Sequence, residues 1–169
     1  TRGPGATNAS IGVHTAFQDS TPFILFVGQV ASDQRDREAF QELDYRQFFS
    51  PGTLGMAKWV GEIHDPDRVP EYVARAFHTA LQGRPGPVVL VLPEDMLTEA
   101  ASVADALPYA ITETHPGTAQ MAELAQRVQA AKQPVAILGG SRWSEQAVRE
   151  FTAFAEAWSL PVYCSFRRQ

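Results

Sequence analysis

Thr1-Arg2-Gly3-Pro4-Gly5-Ala6-Thr7-Asn8 is the stretch on which the interpretation of this chain depends. It is rich in glycine and leads directly into an apolar helical pattern at residues 9–19, so it predicts a loop followed by a helix. The glycines can adopt positive φ and Pro4 stiffens the bend. Either Thr7 or Asn8 can cap the helix by accepting a hydrogen bond from its first N–H groups. Taken alone, the stretch also suits an ordinary tight turn.

Beyond this loop, two continuous apolar runs have the length of strands: Phe23-Ile24-Leu25-Phe26-Val27 and Val88-Val89-Leu90-Val91-Leu92. Such runs are typical of strands that are buried on both faces of a parallel sheet. Residues 56–63 predict a further strand, and residues 66–81 predict an amphipathic helix that Gly83 ends. Alternating strands and helices of these lengths indicate an α/β fold with right-handed crossovers.

The segment between the first two predicted strands is polar. Residues 31–37 alternate in charge and predict a solvated loop or the start of a helix. Phe40-Gln41-Glu42 is interpreted as part of a short helix, which as an ordinary surface helix would bury Phe40 and expose its polar residues. Residues 45–55 are expected to contain an insertion.

The C-terminal part has a different character. Residues 96–116, which lack a sustained period, predict a linker between a domain at residues 1–95 and a second domain at residues 117–169. The second domain reads as a helix, a strand ending at a glycine turn, a second helix and a second strand. These four elements are predicted at residues 117–132, 135–138, 144–159 and 161–166.

Composition limits the classes of function. The 169 residues are 44% hydrophobic, which is enough for a core, and the net charge of −5 gives no basic surface for nucleic acid. No apolar stretch reaches the length of a membrane span and no signal peptide is evident, so a cytoplasmic protein is expected. The single cysteine, Cys164, excludes an intrachain disulfide and is expected to be a small buried core residue.

Four segments occur in a specific order: the opening loop, Gly28-Gln29-Val30, Ala39-Phe40-Gln41-Glu42, and Gly83-Arg84-Pro85-Gly86-Pro87 before the second apolar run. Together they resemble the thiamine diphosphate enzymes of the acetolactate synthase type over nearly the whole chain. The resemblance implies the second half of a pyrimidine-binding domain, followed by the start of a flavodoxin- or Rossmann-like central domain. The chain is therefore expected to be a fragment of a longer enzyme.

The resemblance also implies a function. Enzymes of this family decarboxylate a 2-oxo acid on thiamine diphosphate, and the acetolactate synthases transfer the acyl unit to a second carbonyl. The residues expected on the thiamine diphosphate side are Gly3, Pro4, Asn8, Phe40 and Gln41. The family's catalytic glutamate would precede Thr1, and the Gly-Asp-Gly motif that ligates Mg²⁺ is not found in this sequence. The chain alone is therefore expected to be inactive, and the parent protein is expected to form a homodimer or tetramer.

Acetolactate synthases also bind FAD, and the resemblance places Arg84, Gly139, Gly140 and Ser141 at that cofactor. A glycine turn between a strand and a helix can bind a nucleotide, but it can also be a simple connection. Two alternatives stay open at this point. One is a decarboxylase of 2-oxo acids or of oxalyl-coenzyme A that lacks FAD, and the other is a non-catalytic nucleotide-binding or assembly module.

Overall fold

The longest buried apolar run, at Pro87–Pro93, forms the central strand of a parallel sheet. In the computed structural model, which describes residues 1–51, 55–140 and 142–166, the chain divides into two compact units at residues 1–112 and 113–169. The division falls within the expected linker. Both units contain parallel strands with flanking helices, so the α/β fold class is confirmed.

The first unit contains a three-stranded parallel sheet in the order β1-β3-β2. Its elements are α1 (Gly3–Gln18), β1 (Phe23–Gln29), α2 (Tyr45–Phe49), β2 (Trp59–Glu62), α3 (Val69–Leu81) and β3 (Pro87–Pro93). Short 3₁₀ turns at Ser32–Gln34, Pro66–Arg68 and Met96–Thr98 complete it.

Helices cover both faces of this sheet. On one face, Val89 and Val91 of β3 pack in a buried cluster with Ala6 and Val13 of α1. On the other face, Val88 and Leu90 pack with Ala76 and Ala80 of α3. Strand β3 is therefore buried on both sides, as its continuous apolar run predicts.

Strand β1 differs from its prediction because it is an edge strand of this sheet. It was expected to be buried on both faces, but the side chains of Phe23 and Phe26 are 39% and 53% exposed. Burial is complete only near its carboxyl end, at Val27 and Gln29. The apolar run alone does not distinguish a central strand from an edge strand.

The second unit comprises α4 (Thr118–Ala130), β4 (Ala136–Leu138), α5 (Glu145–Ala157) and β5 (Val162–Cys164). The two strands pair in parallel, with Ala136 opposite Val162. Ser144 caps α5 by accepting a hydrogen bond from the Ala147 N–H at 3.1 Å. The predicted order of helix, strand, helix and strand is confirmed.

Cys164 contradicts the prediction of a buried residue. It lies on β5, whose three residues are all exposed. Strand β5 pairs with β4 alone among the described strands, so one apolar run does not imply burial here. Across the described residues, no helix combines the length and hydropathy that crossing a membrane requires.

Candidate functional site at the carboxyl edge of the sheet

Strands β1 and β3 end together, because Gln29 is in register with Pro93. In open α/β sheets, ligands bind beyond the carboxyl ends of the strands. Three other parts of the first unit meet this edge: the start of α1, the segment at residues 31–44 and the residues that follow β3. The candidate site is built from these four pieces.

The opening stretch is a helix start rather than a loop. Helix α1 begins at Gly3 with Pro4 in its first turn, where a missing N–H costs nothing and a fixed φ suits the helix. Thr7 and Asn8 therefore lie inside the helix and do not cap it, and the Thr7 hydroxyl donates to the Gly3 carbonyl at 2.6 Å. The helix predicted at residues 9–19 is confirmed, but its predicted start at residue 9 was wrong because proline was interpreted as a bend.

The start of α1 packs closely against its neighbours through two glycines. The Gly3 N–H donates to the Gln41 carbonyl at 3.2 Å, and the Gly28 N–H donates to the Thr1 carbonyl at 2.9 Å. A Cβ atom on Gly3 would lie 3.0 Å from the Gln41 oxygen, and one on Gly28 would lie 3.2 Å from the Thr1 oxygen. Glycine is thus required by close backbone approach, and it joins α1 to both β1 and the Gln41 segment.

The Phe40-Gln41-Glu42 triplet forms a turn and not the predicted short helix. Gln41 has a φ of 67°, which no helix interior allows. The ring of Phe40 is 82% exposed, so the burial expected of an ordinary surface helix does not occur. Within the described residues, the Gln41 side-chain amide makes no hydrogen bond, so it is free to meet a ligand.

Gln29 is a site residue that sequence reasoning missed. Its side chain is 1% exposed, its Nε2 donates to the Leu43 carbonyl at 2.8 Å, and its Oε1 accepts from the Val30 N–H at 3.0 Å. Nearby, the Tyr45 hydroxyl donates to the Gly28 carbonyl at 2.9 Å. The sequence did contain a signal, a glutamine at the end of an apolar run. An amide that is buried with such a run needs hydrogen-bond partners, and these fix the chain around it.

Charged groups complete the edge. Arg2 forms an ion pair with Glu94, which follows β3, and its Nη1 donates to the Phe40 carbonyl at 3.4 Å. Backbone hydrogen bonds, of which the bond from Asp36 is the largest cause, lower the pKa of Glu42. Its carboxylate is therefore occupied by hydrogen bonds within the turn.

The structure brings Gly3, Pro4, Phe40 and Gln41 to this edge, and it places Asn8 one helical turn beyond Pro4. Pro4 and Asn8 are both exposed, and their spacing of four residues puts them on the same side of α1. The exposed Phe40 ring and the free Gln41 amide lie on the turn that is hydrogen-bonded to the start of this helix. No described group of histidine, cysteine or acidic side chains could hold a metal ion.

Arg84 lies in the first unit at the other end of α1. Its Nε donates to Ser20 Oγ at 2.8 Å, and its Nη2 donates to the carbonyls of Phe17 and Gln18 at 2.9 and 3.2 Å. A cation at a helix C-terminus satisfies carbonyls that have no intrahelical partner. The structure thus gives Arg84 a capping role, and contact with FAD stays a prediction.

The glycine turn of the second unit borders a cavity of about 1010 Å³. Gly140 has a φ of 79°, and the Trp143 Nε1 donates to the Gly139 carbonyl at 3.0 Å. Apolar side chains of α5 and β5, including Phe151 and Val162, form much of the wall. Ser141, the fourth residue predicted at FAD, lies outside the described residues.

Comparison with known proteins identifies relatives of both units. Residues 1–48 match the family described as "Thiamine pyrophosphate enzyme, N-terminal TPP binding domain". The chain is 35% identical to the acetolactate synthase isozyme 3 large subunit of Escherichia coli K12, over 98% of this chain and 29% of that protein. It is 36% identical to the acetolactate synthase large subunit of Lactococcus lactis IL1403, over 96% of this chain and 28% of that protein.

Solved structures agree with these relatives. Benzoylformate decarboxylase from Polynucleobacter necessarius matches with a TM-score of 0.83 and 32% identity, over 97% of this chain and 30% of that one. A thiamin diphosphate-dependent enzyme from Mycobacterium smegmatis, described as putative, matches with a TM-score of 0.82 and 26% identity, over 99% of this chain and 32% of that one. The chain therefore spans less than a third of the proteins that it matches.

Proposed function

Because this chain is related over nearly its whole length to thiamine diphosphate-dependent enzymes of the acetolactate synthase type, we propose that it supplies the pyrimidine-side wall of such an enzyme's active site. The parent protein would decarboxylate a 2-oxo acid and transfer the acyl unit to a second carbonyl. Assembly as a homodimer or tetramer, Mg²⁺ dependence, FAD binding and a cytoplasmic location belong to the same proposal.

One observation supports this role above the others: the start of α1 is hydrogen-bonded to the turn that presents Phe40 and Gln41. Bound thiamine diphosphate acts as an electron sink for the carbanion that decarboxylation leaves. The residues at this edge fit its ring, because they offer an exposed aromatic face and a free amide on a turn that the close approach at Gly3 holds against the helix start. Their task would be to bind and orient the ring and to exclude water from it.

The residues proposed at FAD are supported less directly. The apolar cavity beside Gly139 and Gly140 is large enough for a planar ring system. Arg84, in contrast, already donates two hydrogen bonds to the last carbonyls of α1 and one to Ser20, which follows the helix. FAD would therefore depend more on the glycine turn than on this guanidinium.

The test uses the full-length polypeptide that contains this chain, with thiamine diphosphate, Mg²⁺ and pyruvate. We expect release of CO₂ that depends on thiamine diphosphate, together with formation of acetolactate. Turnover of the 2-oxo acid without any thiamine requirement, or no turnover with any 2-oxo acid, would contradict the proposal.

Gln41→Asn tests the site itself. Asparagine tolerates the left-handed φ of this residue but withdraws the amide by one methylene group. We expect kcat/KM to fall roughly 10²-fold, as a misplaced polar group of this kind can cause. The control is Gln126→Asn on the exposed surface of α4, which should leave kcat/KM unchanged.

A second candidate is a decarboxylase that releases the aldehyde without acyl transfer. The likeness to benzoylformate decarboxylase favours it, because the match to that structure covers 97% of this chain at 32% identity. Product analysis separates the two functions. An aldehyde formed in equal amount to CO₂, even with excess acceptor, would indicate the decarboxylase.

A further inference from the structure

The segment at residues 31–44, which carries Phe40 and Gln41, has an unusual backbone. Asp36, Glu38 and Gln41 have φ values of 61°, 54° and 67°, in the left-handed region that residues other than glycine seldom adopt. Such conformations persist only where surrounding contacts impose them. The contacts around this segment therefore determine where Gln41 lies.

Glu42 provides the first set of contacts. Its Oε1 accepts from the Asp36 N–H at 2.9 Å and its Oε2 accepts from the Ala39 N–H at 3.3 Å. Its own N–H donates to the Ala39 carbonyl at 3.0 Å. One carboxylate thus closes the turn on both sides of the left-handed residues.

Arg35 provides the second set. Its Nε lies 3.6 Å from Oε1 of Glu42, and its Nη1 lies 3.6 Å from Oε1 of Glu62, the last residue of β2. Arg35 Nη1 and Glu62 Oε1 are shielded from solvent, and neither has a hydrogen-bond partner among the described residues. At this distance the attraction is Coulombic, and shielding from solvent reduces its screening by salt.

We propose that Arg35 is a positioning residue that fixes the Phe40-Gln41 turn against the start of α1, by joining Glu42 in the turn to Glu62 in the sheet; this inference rests on the proposed function. The turn is then attached from two sides, by the start of α1, where Arg2 Nη1 also donates to the Phe40 carbonyl at 3.4 Å, and by the sheet. The Gly3 N–H binds the Gln41 carbonyl on one side, and the Arg35 guanidinium binds through Glu42 on the other. Loss of the second attachment frees the turn without removing any group that meets the ligand.

The test compares Arg35→Gln and Glu62→Gln in the full-length protein. Both changes remove a charge; Glu62→Gln keeps the shape of the side chain, and Arg35→Gln leaves a shorter polar one. The matched control is Arg68→Gln, which removes an arginine from the exposed pair with Glu71. Three quantities are measured: the Kd of thiamine diphosphate by calorimetry, kcat and KM, and hydrogen exchange in peptides that cover residues 36–43.

We expect Arg35→Gln to accelerate exchange in residues 36–43 and to raise the Kd of thiamine diphosphate about tenfold, as coupled charge pairs of this kind typically allow. A variant that carries both Arg35→Gln and Glu62→Gln should lose no more than the larger single loss, because Glu62 acts on the turn through Arg35. Arg35→Lys, which keeps the charge, should restore part of the affinity. Arg68→Gln should change none of these quantities.

Two outcomes overturn the inference. One is a normal Kd and normal exchange in Arg35→Gln when the wild-type protein binds thiamine diphosphate. The other is lowered stability in urea with unchanged Kd and kcat/KM, which would make Arg35 structural only. If Arg35→Gln does not fold, Glu62→Gln and Arg35→Lys decide by the same measurements. If the wild-type protein fails to bind thiamine diphosphate while exchange still accelerates in the variant, the proposed function fails and the attachment of the turn is retained.

Discussion

At the level of single residues, the site depends on glycines and on a buried glutamine as much as on its exposed side chains. Gly3 and Gly28 allow backbone segments to approach each other closely. The Gln29 side chain binds the Leu43 carbonyl and the Val30 N–H, and so joins the end of β1 to the segment before α2. Replacing Gln29 with an apolar side chain would strand the Leu43 carbonyl and the Val30 N–H. An unsatisfied buried group typically costs about 1–3 kcal/mol.

Two glycines of the same helix give opposite predictions. In Gly3→Ala, the new methyl group would lie 3.0 Å from the Gln41 carbonyl oxygen, a backbone atom that cannot move away easily. We expect the free energy of unfolding in urea to fall by about 1–2 kcal/mol, since overpacking outweighs the better helix propensity of alanine.

Gly12→Ala is the control for that substitution. Its methyl group would meet nothing within 4 Å, so only the gain in helix propensity remains. We expect the free energy of unfolding to rise by about 0.5–1 kcal/mol. Equal effects of the two substitutions would show that the contact between Gly3 and Gln41 is not tight.

Among the elements, those with a strong apolar period could be predicted from sequence and those defined by long-range contacts could not. Strand β3 and helix α3 match their patterns because burial on two faces or one face leaves a direct trace in the order of residues. The turn at Gln41 has no such trace. Its shape depends on hydrogen bonds to Glu42 and on Glu62, which is 21 positions away from Gln41 along the chain.

The carboxyl end of helix α3 is capped by a lysine that lies outside the helix. Lys58 Nζ donates to the Thr79 carbonyl and, at 2.8 Å, to the Gln82 carbonyl. This contact gives Lys58 a structural role, and Trp59 has one too, because it stacks on Tyr72 with ring centroids 5.7 Å apart. A cation here compensates the partial negative charge of a helix C-terminus.

Burial lowers the pKa of Lys58, so its charged form is less favourable in the folded state than in the unfolded state. Between the lowered pKa and the ordinary value of 10.5, the unfolded state binds more protons, and stability therefore rises with pH. We expect the free energy of unfolding of the wild type, minus that of Lys58→Met, to increase as pH rises toward 10.5. Urea unfolding from pH 7 to 10.5 measures it, and a difference that falls with pH would contradict the assignment.

In the molecule as a whole, residues 100–117 contain no helix or strand and are almost entirely exposed. Irregular exposed backbone is where proteases cut first. We expect limited digestion of the protein with a glutamate-specific protease to cut earliest after Glu99 or Glu113. Mass spectrometry of the products would identify the sites, and a first cut within α3 or α5 would contradict the expectation.

The strand order β1-β3-β2 also determines when the described strands can pair during synthesis. Among the described strands, β1 and β2 have only β3 as a neighbour, and β3 is synthesised after both. From Gln29 to Pro93, the end of β1 to the end of β3, the ribosome adds 93 − 29 = 64 residues, which takes roughly 3–13 s at typical translation rates. During that interval the phenylalanines of β1 have no described strand to pair with. Until β3 has been synthesised, β1 cannot form the parallel pairing that places Phe23 opposite Pro87 and Gln29 opposite Pro93.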